Sequence, residues 1–384
     1  MSNFCRFPVQ RIRRCVSFVA VMTAAWIVIG SVASAQPAAP KTYTWGNIDA
    51  KFNEYRYVTS QKLIKEQVLL GRQSLAANQT AIDDWYRKYM IQMMLTEANM
   101  RDLSELRESL MKDLAKTQNP QVHQFLVNLL YDEMTKIVQG NHHPAVEYNA
   151  MLIIGDLNQT ESRMTSGQRY PAVRHSPALN FMLTELKKPD ITDASRLAGM
   201  IGVLRHVSLD RQRSDQPIDD AQKSDILNLM AGIVSQKDVP PNRSADGHTW
   251  LRRRAVDVLA ALGQRGQNDA VLNELVTIVA DKESPLSLRC SAARALETLD
   301  YTDVAGVDVI KVAEDLGALA AFACRQEDAR YKEEKKEQEA AGASGFGGTG
   351  GMPGMPGMPG MGGPGGYGDD YGDSGDDYGA GSGY

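Results

Sequence analysis

Two stretches of this chain repeat each other at a fixed distance. Leu251-Arg252-Arg253-Arg254-Ala255-Val256-Asp257-Val258-Leu259-Ala260-Ala261-Leu262 is matched 37 residues later by Leu288-Arg289-Cys290-Ser291-Ala292-Ala293-Arg294-Ala295-Leu296-Glu297-Thr298-Leu299. Leu251, Arg252, Ala255, Leu259 and Leu262 recur as Leu288, Arg289, Ala292, Leu296 and Leu299. Spacings of three and four place these apolar side chains along one stripe of a helix. A helix pair carrying such stripes cannot bury them alone, so recurrence at this period predicts pairs stacked side by side.

Earlier units keep the pattern more loosely. Val146 to Ala150, with Ile154 and Leu157, preserves the small and aliphatic positions without the Arg, and Leu197-Ala198 with Ile201 and Leu204 is looser again. Each unit follows another apolar helical segment, at 120–139, 177–187, 221–236 and 268–281. Leu103, Leu106, Leu110 and Leu114 continue the helical spacing upstream, as do Phe125, Leu126, Leu129 and Leu130. Asn119-Pro120, His143-Pro144, Ser176-Pro177 and Ser284-Pro285 predict helix starts, because Pro loses nothing at the first position of a helix. Alternating strand-like runs with hairpin turns are not evident, and no glycine-rich phosphate loop interrupts the body. The predicted class is all-α.

The Leu-Arg-x-x-Ala-x-x-x-Leu-x-x-Leu pattern after a Pro-containing turn resembles the second helix of a HEAT repeat. The resemblance is close over 248–299 and weakens back to about 120. It implies a right-handed α-solenoid of HEAT-like helix pairs that binds a protein or peptide along one face. It also implies structural roles for Arg252 and Arg289, bonded to an Asp or a turn carbonyl between repeats. The chain departs from the family in its uneven unit spacing and in the missing early Arg.

The ends differ from the body. Arg6, Arg11, Arg13 and Arg14 lead into an apolar run from Val16 to Gly30 and then a small-residue exit, Ala33-Ser34-Ala35 before Gln36. That order predicts a signal peptide cleaved after Ala35. No later segment reaches the roughly 18–20 apolar residues of a membrane span. Residues 342–384 are rich in Gly, Met, Pro, Tyr and Asp and hold no branched aliphatic residue, so they predict a disordered tail. The expected organisation is therefore a signal at 1–35, an N-terminal helical cap or divergent repeats at 36–117, HEAT-like repeats at 118–301, a capping and charged helix at 302–341, and the tail.

Charge narrows the partners. The chain carries −5, the signal +4 and the tail −5, which leaves the 306-residue body near −4 with mixed signs. Nucleic acid needs a concentrated basic face, and none is expected here. Arg252, Arg253 and Arg254 are consecutive, so they point about 100° apart. At most one or two join Arg205, Arg211, Arg213 or Arg265 on a common surface that could hold an anionic ligand.

Chemistry-bearing patterns are sparse. The mature chain keeps Cys290 and Cys324, each predicted within a helix as a small apolar side chain, able to form one bridge and lacking zinc-ligand spacing. His142-His143 lacks a zinc motif, and Ser109-Leu110-Met111-Lys112 matches Ser-x-x-Lys without its companions. Met352, Met355, Met358 and Met361 are soft copper ligands in principle, and Tyr367, Tyr371, Tyr378 and Tyr384 make a weakly associating tail. No cofactor, metal or catalytic residue is assigned. The expectation is an exported, non-catalytic scaffold or protein-binding module of the periplasm or cell envelope, or a secreted one. A metal-handling protein or an enzyme of unrecognised class is the alternative.

Overall fold

The computed structural model describes residues 42–212, 217–301 and 307–344, with side chains through 339. The signal with Ala33, Ala35 and Gln36, Arg213, and the Met- and Tyr-bearing tail lie outside the described residues. The chain divides into two compact units at Ala321/Phe322.

In the first unit an extended segment, 42–49, precedes a 3₁₀ turn at Ala50–Asn53. Helices α1 (Tyr55–Leu69) and α2 (Leu75–Asp83) follow. Next, Asp84–Met90 winds as a π-helix into α3 (Ile91–Met94), and α4 (Leu103–Lys116) closes the N-terminal part. Neighbouring residues on a regular helix diverge by about 100°. The widened π turn lets the adjacent rings of Trp85 and Tyr86 both be buried.

Four helix pairs then follow: α5 (Pro120–Val138) with α6 (Pro144–Asp156), α7 (Ser176–Leu186) with α8 (Asp193–Gln212), α9 (Asp220–Ser235) with α10 (Ala245–Leu262), and α11 (Ala270–Ala280) with α12 (Leu286–Leu296). The partners of each pair pack together, and the second helices α6, α8, α10 and α12 pack on one another in chain order. One apolar core runs from Phe52 to Leu319. At the α6–α8 crossing Gly155 faces Gly202, and a Cβ built on Gly155 would lie 2.7 Å from the Gly202 Cα. Only glycine permits that approach.

Several helix starts use side-chain caps: Asn119 accepts from the Gln121 amide at 2.8 Å, Asp219 from Gln222 at 2.7 Å and Ser244 from Gly247 at 3.0 Å. Two predicted serine caps are not used. Ser176 is the first residue of α7, and Ser284 lies one residue before the Pro285 cap position, its hydroxyl donating to Asp281. The two starts shift by one residue in opposite directions, earlier at Ser176 and later at Ser284.

The expectation of no hairpin was wrong. Between α6 and α7 lie β1 (Asn158–Thr160), β2 (Arg163–Thr165), β3 (Gln168–Tyr170) and β4 (Val173–Arg174), with β1 antiparallel to β4 and β2 to β3. Ser166 and Gly167 both take positive φ (51° and 79°), the two-residue turn that matches strand twist. The Ser-Gly pair was the available signal, but β2 and β3 are exposed and three residues long, so no hydrophobic alternation accompanied it.

The last helix, α13 (Val309–Ser344), contains the division between the units. Of its apolar residues, Leu319 is buried, Val312 and Leu316 pack against the core, and Val309, Ala313 and Ala320 face outward. It ends at Ser344, past the expected 341/342 boundary, since Ala340, Ala341 and Ala343 favour helix. In the second unit Arg330 pairs with Glu327 and Glu334, and Lys332 with Asp328. Among the described residues no helix is long and apolar enough to cross a membrane.

Candidate functional site

The recurring motif builds the interior of the pairs. Leu251, Ala255, Leu259, Leu288, Ala292, Leu296 and Leu299 are buried, and Leu262 is half-buried. Arg252 and Arg289 are buried too. The Arg252 Nε donates to the Val234 carbonyl at 2.9 Å, while Nε and Nη2 of Arg289 donate to the Val279 carbonyl at 3.1 and 2.8 Å. Val234 and Val279 each stand one residue before the end of the first helix of their own pair. Carbonyls of a last helical turn have no intrahelical donor, and a cation there also complements the helix dipole. Each arginine therefore caps its partner helix within a pair, whereas the resemblance implied a bond between repeats.

A third arginine does the same work and was missed. Arg196, on α8, donates to the carbonyls of Leu186 (3.1 Å) and Lys188 (3.3 Å) at the end of α7. It precedes the aligned Leu197 instead of following an aligned Leu, so a fixed motif passes over it.

Among the described residues, the other arginines weighed for a basic face each have a partner. Arg205 donates to the Gly155 carbonyl and to the Asn158 side chain. Arg211 reaches the Ala261 carbonyl and Arg253 the Ser291 hydroxyl. Arg254 and Arg294 converge on Asp257, at 3.4 and 3.2 Å, and Arg265 pairs with Asp269 at 2.9 Å. The contacts of Arg205, Arg211, Arg253 and Arg294 join second helices, or the strand after one, from consecutive pairs.

The histidines serve the framework. His143 caps α6, its Nδ1 accepting from the Ala145 amide at 3.2 Å, and His142 Nδ1 lies 2.8 Å from the Thr44 carbonyl. His206 is fully buried on α8 with no bond to either ring nitrogen, and burial, reinforced by Arg205 and Arg174, pushes its pKa down to about 3. Burial lowers the His175 pKa as well. Ser109 and Lys112 sit mid-helix in α4, with Lys112 bonded to Glu108. Cys290 and Cys324 are free thiols, and both are exposed rather than packed as apolar side chains. Among the described residues no group of three or more His, Cys, Asp or Glu is placed to hold a metal.

The concave site with convergent chemistry lies where the extended segment meets α6. The segment is pinned by Thr44 N–H to the Asn141 carbonyl (2.7 Å), Gly46 N–H to Leu95 (2.9 Å) and Asn141 Nδ2 to Thr42 (2.9 Å). This lays Tyr43 and Trp45 beside His143. The three rings, with Thr42, Glu97 and Met100, line an open recess of about 800 Å³. Trp45 and His143 are 21° from parallel with centroids 6.2 Å apart, and Tyr43 stands at 77° and 72° to them. A second, polar recess of about 450 Å³ is lined by residues of α9 and of the loop after α10.

Comparison with protein-family models, with curated proteins and with solved structures found no match to this chain.

Proposed function

We propose that the chain is a non-catalytic protein- or peptide-binding scaffold, built as a right-handed HEAT-type α-solenoid and exported to the periplasm or cell envelope. The observation that carries this reading is the unbroken row of second helices, α6, α8, α10 and α12. Such a row presents side chains from four separated segments on one continuous support, which suits an extended partner better than a small substrate. Its polar links between neighbours, such as Arg294–Asp257, hold that support in register. The signal-like start supports export, and the Gly-rich tail supports a role in reach or weak additional contacts. Fold alone does not fix function, so the reading stands on the face, not on the class.

Photo-crosslinking residues placed singly at Ser287, Arg294 and Trp250 on the second helices, and at Asn228 and Asn273 on first helices, test it in envelope extract. The expected result is one partner cross-linked from the second-helix positions and not from Asn228 or Asn273. Equal cross-linking from both sets would remove the face from the reading. No partner at any position would turn the search to metal analysis and substrate screening.

A further inference from the structure

The geometry points to the recess at Tyr43, Trp45 and His143 as a binding site for an organic cation, an alkylammonium or guanidinium head. This stands independently of the scaffold reading, because it rests on the recess alone.

Three observations carry it. First, the rings form a corner: two planes close to parallel and a third nearly perpendicular to both. Aromatic faces set at such angles present several negative π surfaces to one volume, the arrangement that attracts a cation. Second, Glu97 lines the same recess, is exposed, and forms no ion pair with any described residue. Some neighbouring carboxylates are paired, Asp83 with Arg87 and Asp84 with Lys88, whereas Glu97 is among those that are not. The recess thus carries one uncompensated negative charge beside its rings. Third, His143 is held as a wall by its own backbone task. Its Nδ1 accepts from the Ala145 amide at 3.2 Å, which fixes the ring at the start of α6.

The remaining lining fits the same class. Met100 offers a polarizable thioether, suited to the methyl or methylene shell of such a head. A bare metal ion is a poor match, since one carboxylate is the only anionic ligand there. The volume of about 800 Å³ exceeds a single small head group, so the ligand brings a body with it.

The test follows the Trp45 indole N–H by NMR in the full chain, assigned with Trp45→Phe. The titrants are choline, capped lysine and capped arginine, with 3,3-dimethylbutan-1-ol as the neutral isostere of choline and NaCl as the ionic-strength control. At least one cation is expected to bind about tenfold more tightly than the isostere. Glu97→Gln, an exposed change that leaves the core untouched, is expected to weaken the cation about fivefold and leave the isostere unchanged. Tighter binding of capped lysine or arginine than of choline assigns the site to a polypeptide side chain, and the reverse assigns it to a free quaternary amine. Equal binding of choline and its isostere, or no cation response beyond that to NaCl, overturns the proposal. So does a cation affinity that Glu97→Gln does not alter.

Discussion

The N-terminal helices and the paired helices each bury cations, and they neutralise them differently. In the N-terminal part Lys65, on α1, donates to both carboxylate oxygens of Asp113 on α4 at 2.8 and 2.9 Å. Tyr86 donates to the same carboxylate at 2.9 Å, and Trp85 lies under the ammonium at 5.6 Å. Burial, with Asp113 alongside, raises the Tyr86 phenol well above its ordinary pKa. In the pairs α9/α10 and α11/α12, Arg252 and Arg289 donate to main-chain carbonyls. One arrangement joins two charges from distant helices, and the other spends a charge on a helix end that needs a donor anyway. The first makes each partner depend on the other, while the second degrades gradually.

The largest expected effect follows from that dependence. Asp113→Ala leaves Lys65 with only the half-buried Glu66, at 3.1 Å, and the Tyr86 hydroxyl without its acceptor, and urea unfolding should show a loss of about 3 kcal/mol, the low end for a broken buried pair. The double variant Lys65→Met, Asp113→Leu should recover most of it, since the uncompensated charge is gone. A double variant as unstable as Asp113→Ala would show that packing, not charge, governs this region.

Second comes pH, through a buried base matched by neither device. His206 stays neutral in the folded chain down to about pH 3 but titrates near 6.5 when unfolded. Below pH 6.5 the unfolded chain takes up a proton that the folded chain refuses. Stability is therefore flat above about 6.5 and declines as pH falls toward 3, by about 2 kcal/mol at pH 5. His206→Leu should flatten most of the slope, leaving a smaller share from His175. An unchanged slope in that variant would assign it elsewhere.

Third, Arg289→Met leaves the Val279 carbonyl without its donor and is expected to cost about 1–3 kcal/mol, less than Asp113→Ala. Arg289→Lys should fall between, because an ammonium cannot reproduce the fork. A loss above that of Asp113→Ala would invert the comparison. The smallest effect belongs to the exposed hairpin, where Gly167→Ala in the left-handed region should cost about 1 kcal/mol. Amide exchange should show that loss between 158 and 174 before anywhere else.

The sequence by itself determined the helical class, the four helix pairs and the residues facing their interiors. Those features are local or periodic, and a stripe at three and four spacing constrains a chain wherever it occurs. It also marked Arg252 and Arg289, whose recurrence exposed a shared task. Tertiary structure decided the rest. Lys65 meets Asp113 across 48 residues with no motif to announce it, and Arg196 shares a role through space while standing out of register in sequence. The recess is the clearest case. No motif singles out Tyr43 and Trp45, and His143-Pro144 reads only as a helix start. They become a site only because backbone bonds lay that segment across the start of α6, about a hundred residues away in the chain. Periodicity records what each helix buries. Which distant surfaces then meet depends on packing and hydrogen bonds that no single stretch encodes.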